Sequence, residues 1–195
     1  MIVKICGITN REDALAAIEG GASALGFILY PKSPRYIEPE MAARIIESLP
    51  RGVWRAGVFV DGSASAVAAT AAAIGLDITQ LHGREEAADF PAGVRVWKAF
   101  RIADAIPDLE AYPAEAILLD GTSSGRSFDW SLARIPKRRI IVAGGLDAGN
   151  VRQAIVQAQP WGVDACSSLE SSPGRNHHAR MAAFLRAARF MDDVD

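Results

Sequence analysis

The chain has 195 residues, half of them apolar, with 21 lysines and arginines against 23 aspartates and glutamates and a net charge of −2. That balance excludes a disordered chain and gives no broad basic field for nucleic acid. The longest apolar stretches, such as 64–76, are alanine-rich and interrupted by Ser, Thr and Gly, so no membrane span is expected. Met1 leads straight into a strand-like run with no secretory signal pattern, which points to the cytoplasm. Cys6 and Cys166 do not make a disulfide framework in a chain large enough to bury its own core, so each reads as a free thiol.

Short apolar or β-branched runs predict eight strands, over 2–6, 24–29, 54–60, 78–82, 94–100, 115–120, 139–143 and 162–166. Helical patterns open at Asn10 before 11–19, at Ser63 before 64–74, and at Asp147 or Asn150 before 151–158. The fifth connection, 103–110, is broken by Pro107 and predicts at most a turn of helix. No linker divides the chain, so one domain over 1–195 is expected. Strand ends recur about every 23 residues, a short period that fits a compact (β/α)8 TIM barrel with a vestigial fifth helix. The rival is an open doubly wound sheet, but no Gly-x-Gly-x-x-Gly turn follows the first strand.

A (β/α)8 barrel assembles its site at the carboxyl ends of its strands, which makes the polar residues there the candidates. Cys6 ends strand one on the same face as Lys4; its thiol is a competent base only if a positive neighbour or bound substrate helps it ionise. Asp120 ends an otherwise apolar strand six, where partial burial beneath a closing loop would raise its pKa and let it act as an acid. Gly144-Gly145 after strand seven, with Ser167 and Ser168 after strand eight, suit a phosphate site. Strand parity also turns Cys6 and Cys166 toward one another on neighbouring strands, a placement that permits a disulfide if stagger keeps their Cα atoms about 4.4–6.8 Å apart.

Seven ordered motifs cover nearly the whole chain: Lys4-Ile5-Cys6-Gly7-Ile8-Thr9; Gly26-Phe27 with Ser33-Pro34-Arg35; Gly57-Val58-Phe59-Val60; Gln80-Leu81-His82-Gly83; Phe128-Asp129-Trp130; Ala143-Gly144-Gly145-Leu146 with Asn150-Val151; and Gly162-Val163-Asp164 through Glu170-Ser171-Ser172-Pro173-Gly174. In them the chain resembles the phosphoribosylanthranilate isomerases of tryptophan biosynthesis. The resemblance implies an Amadori rearrangement of a small phosphorylated substrate, without cofactor or metal, by a monomer or homodimer. By matching position, it makes Cys6 the base at sugar C2′ and Asp120 the acid at the ring oxygen. Arg35 would hold the anthranilate carboxylate, His82 would line the pocket, and Gly144, Gly145, Ser167 and Ser168 would hold the phosphate.

Three departures stand out. The loop from Asp120 to Phe128 is short, Cys166-Ser167-Ser168 replaces the usual Ser-Ser-Gly, and Arg175-Asn176-His177 lacks the usual Lys-Asp pair. The alternatives are a related phosphosugar isomerase, whose paired acidic residues at strands one and five are absent here, and a barrel that has lost catalysis and only binds phosphorylated ligands.

Overall fold

The computed structural model describes residues 1–102, 106–121 and 128–189. Eight strands, β1 (Ile2–Ile5), β2 (Ala24–Ile28), β3 (Trp54–Phe59), β4 (Ile78–Leu81), β5 (Arg95–Ile102), β6 (Ala116–Gly121), β7 (Ile140–Ala143) and β8 (Gly162–Ala165), pair in sequence order. All pairs are parallel, and β8 returns to β1 to close the barrel. Outside it lie α1 (Arg11–Glu19), α2 (Pro39–Glu47), α3 (Ala64–Ile74), α4 (Val151–Ala158) and α5 (His178–Ala188). A small antiparallel ladder of β9 (Glu170–Ser172) and β10 (Arg175–Asn176) links β8 to α5.

Side chains alternate across each strand, and the core divides accordingly. Outward residues such as Ile5, Phe27, Ile117 and Val163 pack with α1, α2, α4 and α5 into the main core. Inward residues Ala24, Ala56, Ile78, Trp97, Leu118 and Ile141 fill the barrel itself. Trp97 packs on Trp54 and Trp161, with ring centroids 5.8 and 5.9 Å away, and plugs the barrel toward its amino-terminal end. Arg95 and Arg139 cover Trp54 and Trp161 at 4.5 and 5.1 Å, and both pair with Glu115. The opposite end, where the strands finish, opens into a large cavity.

The three helices expected at Asn10, Ser63 and Asn150 have the bounds the caps imply. Asn10 accepts from the Asp13 N–H and Ser63 from the Ala66 N–H. Asn150 departs from the expectation: its side chain accepts from Asp147 N–H and donates to the Gly145 carbonyl, tying the preceding loop together and leaving the helix end uncapped by it. The fifth connection shows no helix over 106–115, while 103–105 lie outside the described residues. Its neighbours are also reduced, to single 3-10 turns at Ala87–Asp89 and Trp130–Ala133. Beside that gap the outward-facing Lys98 is buried against Glu85 at 2.8 Å, and Glu85 also accepts from the N–H groups of Asp61 and Gly83. The ion pair thus ties the loops after β3 and β4 together beside a connection that has only a 3-10 turn. No helix among those residues is long and apolar enough to cross a membrane.

Candidate active site

The cavity at the carboxyl end has a volume of about 780 Å3, and Cys6, Arg35, His82, Asp120, Gly144, Gly145, Ser167 and Ser168 all line it. Its wall is built largely by parity: the last inward positions of the strands, among them Val58, Gln80, Ala99, Leu118, Ala143 and Asp164, project into it.

Cys6 follows β1 directly and is buried. Its partners were only half legible. Lys4, one inward position below, donates to Asp164 on β8 at 2.9 Å and also pairs with Cys6. Gly26 on β2 makes room for both: a Cβ there would stand 2.6 Å from the Cys6 sulfur and 3.1 Å from Lys4 Cε. A hydrogen bond from Cys166 and the charge of Lys4 together overcome the cost of burial and pull the Cys6 thiol down to about 5. The same contact pushes the Cys166 thiol up, so Cys166 is the donor and Cys6 the thiolate. Burial raises the Asp164 carboxyl against the opposing pull of Lys4, whereas the Lys4 ammonium is held by Asp164 and Cys6 despite its own burial.

Asp120 stands on β6, across the barrel from β1, and its Oδ2 lies 3.4 Å from His82 Nε2. The contact is not a hydrogen bond, and His82 Nε2 has no hydrogen-bond partner. Gly144, at φ +92°, is required by close packing: a Cβ would meet the Gly121 nitrogen at 2.3 Å and the Asp120 carboxylate at 2.9 Å. The glycine therefore lets the ends of β6 and β7 approach. The loop expected to close beside Asp120 falls on 122–127, outside the described residues.

Arg35 lies at the rim, with two of its donors spent on Glu170, Nε at 2.8 Å and Nη2 at 2.7 Å. Glu170 also accepts from the Gly174 N–H. Glu170 thus orients the guanidinium, a role the sequence motif contains but does not announce. Gly145, at φ +66°, and Ser167, where a 3-10 turn begins, bring the loops after β7 and β8 to the cavity. Ser168 departs from the expected role of a free hydroxyl donor: its hydroxyl donates to the Leu146 carbonyl, which joins the two loops. Gln80 and Asp164 each turn a buried oxygen with no hydrogen-bond partner toward the same space. Lys4 and Asp164 were detectable as charges interrupting apolar strands at inward positions; Gln80 gave no signal beyond its motif.

A closed parallel barrel that gathers ionisable side chains from several strand ends around one open cavity is a (β/α)8-barrel enzyme. Residues 3–187 match the family model described as N-(5'-phosphoribosyl)anthranilate (PRA) isomerase. The N-(5'-phosphoribosyl)anthranilate isomerase of Solibacter usitatus (strain Ellin6076) is 48% identical over 198 residues, covering 97% of this chain and 98% of that protein. A phosphoribosyl anthranilate isomerase in complex with reduced 1-(o-carboxyphenylamino)-1-deoxyribulose 5-phosphate superposes with a TM-score of 0.86 at 40% identity, covering 97% of this chain and 99% of the other. Monomers generated from the dimeric enzyme of Thermotoga maritima give 0.87 at 41%, with the same coverage. The chain belongs to the phosphoribosylanthranilate isomerase family.

Proposed function

We propose that this chain, as one barrel domain, converts N-(5-phosphoribosyl)anthranilate to 1-(2-carboxyphenylamino)-1-deoxyribulose 5-phosphate in tryptophan biosynthesis, with Cys6 as base and Asp120 as acid. Asp120 protonates the furanose ring oxygen, the ring C–O bond breaks, and the anthranilate nitrogen lone pair completes an iminium at C1′. Cys6 then takes the C2′ proton; its electrons neutralise the iminium and leave an enolamine, which ketonises to product. The observation that carries this reading is the Cys6 thiolate, formed by Cys166 and Lys4, facing Asp120 across the cavity. A thiol at its ordinary pKa of about 8.5 would be a few per cent ionised at neutral pH, so the neighbours supply the base.

Arg35, oriented by Glu170, faces the anthranilate carboxylate with the edge of its fork that Glu170 leaves over. The loops carrying Gly144, Gly145, Ser167 and Ser168 receive the phosphate, chiefly through backbone N–H groups because the Ser168 hydroxyl is engaged. His82 lines the pocket beside Asp120. The bound analogue in a relative supports a phosphorylated small-molecule partner, and the dimeric enzyme of one relative keeps a homodimer, beside a monomer, among the assemblies this reading allows. A biosynthetic role of this kind places the chain in the cytoplasm. The test is direct: the purified chain should abolish the fluorescence of the anthranilate ribotide with saturable kinetics. Binding of the ribotide without turnover would establish the binding-only alternative instead.

A further inference from the structure

We propose that Cys6 and Cys166 form an oxidative modification site: hydrogen peroxide converts the two thiols into a disulfide across the seam between β1 and β8, which leaves Cys6 without a free thiol to act as a base.

The register sets the pair face to face. Lys4 lies opposite Asp164 and Ile5 opposite Ala165 in a parallel ladder, and the Cys6 N–H donates to the Ala165 carbonyl at 2.9 Å. One step further along, Cys6 therefore stands beside Cys166. Two residues back on the same face, Lys4 and Asp164 touch at 2.9 Å, so side chains at this parity do meet across the seam. Each thiol is the leading influence on the other's pKa, lowering Cys6 and raising Cys166. Neighbouring strands lie about 4.8 Å apart, inside the roughly 4.4–6.8 Å of Cα separation that a disulfide spans. At Gly7 a Cβ would come within 3.0 Å of the Cys166 sulfur, so the turn after β1 leaves that sulfur room.

The chemistry suits a two-step oxidation. Both sulfurs line the cavity, through which a molecule of peroxide size enters. The Cys6 thiolate attacks one peroxide oxygen and breaks the O–O bond, giving a sulfenic acid and hydroxide, which takes a proton to become water. Cys166, the protonated partner, then gives its proton to the departing hydroxyl as its sulfur displaces it; the S–S bond forms and a second water leaves. Two thiols lose two electrons and two protons, and one peroxide is reduced to two waters. The family's usual serine at this position could not resolve the sulfenic acid in this way.

Mass and thiol count decide the matter without any substrate, so this inference fails or stands separately from the proposed activity. After limited hydrogen peroxide and denaturing alkylation, the wild-type chain is expected to be monomeric, about 2 Da lighter, and without an alkylatable thiol. Dithiothreitol should restore both thiols and, where the activity is as proposed, the rate. Cys166→Ser, with no thiol to resolve the sulfenic acid, should instead go on to the sulfinic acid, two oxygens heavier at Cys6, and lose its rate in a way dithiothreitol does not restore. A wild-type chain that adds oxygen while one thiol stays alkylatable, or that links to a second chain, would overturn the proposal; this outcome is read on the wild type alone, whatever the folding of the variant.

Discussion

Replacing Lys4 with methionine separates what the buried ammonium does for the fold from what it does for Cys6. Lys4 and Asp164 are 0% and 8% exposed and 2.9 Å apart, so Lys4→Met leaves a buried carboxyl inside the barrel without its partner. Removing one member of such a pair costs about 3–5 kcal/mol, which urea denaturation would register as a lower midpoint at unchanged slope. A second change, Asp164→Leu, removes the unpartnered carboxyl and is expected to return most of that loss, because well-packed apolar replacements of buried pairs are often neutral or stabilising by about 1–4 kcal/mol. The effect on Cys6 should not return. Its thiolate is favoured by Cys166 first and by the Lys4 charge after it, so the acidic limb of the rate rises as pH climbs through about 5. An opposite charge at short range is worth roughly 1–3 pKa units, so the acidic limb of kcat/KM should move up by that amount in the single and the double variant alike. A double variant that regains stability and keeps its limb at the wild-type position would refute the role of Lys4 in ionising Cys6.

Arg35→Ala removes a charge-assisted contact made before and during the reaction, worth about 1.5–3 kcal/mol, so KM should rise roughly 10- to 150-fold with kcat little changed; loss of kcat at constant KM would assign Arg35 another role. Crystals soaked in inorganic sulfate should show the anion between the loops at Gly145 and Ser167, and density at Arg35 alone would contradict that map. Asp13, buried beneath α1, accepts from Asn10, from the side chain and N–H of Asn176, and from His178. Burial opposes its ionisation, but the hydrogen bonds led by the Asn176 N–H outweigh it and lower its pKa. Its contribution to stability is therefore present above the ordinary carboxylate pKa of about 3.9 and lost as pH falls through the lower folded value. Asp13→Ala should cost about 2–4 kcal/mol at neutral pH, measured by denaturation, with a loss that shrinks in acid.

Period-two alternation and the residues at strand ends made the barrel readable, since an inward position just before a Gly-rich turn has nowhere to point but the cavity. Helices were readable where a side chain caps them or ties the turn before them, as at Asn10, Ser63 and Asn150. Helix α2 begins instead at Pro39 behind Glu38, and α5 behind His177, neither of which makes a side-chain cap hydrogen bond. Both helices are set by packing Ile45, Ile46, Phe184 and Leu185 into the outer core, which local sequence does not display. Within the site, Cys6 and Asp120 were visible from position alone. The Lys4–Asp164 pair and the grip of Glu170 on Arg35 join residues more than 130 positions apart, so no local spacing reveals them.

The most direct test is the fluorescence assay on Cys6→Ala and Asp120→Asn, run under single-turnover conditions so that product release cannot mask the chemistry. Each variant should lose roughly 10²–10⁴ in rate, the usual contribution of a positioned acid or base, while binding the ribotide with nearly unchanged affinity. Cys6→Ala should also lose the acidic limb that rises through about 5. Near-normal single-turnover rates in either variant would contradict the assignment of Cys6 as base or Asp120 as acid, even with the fold and the substrate intact.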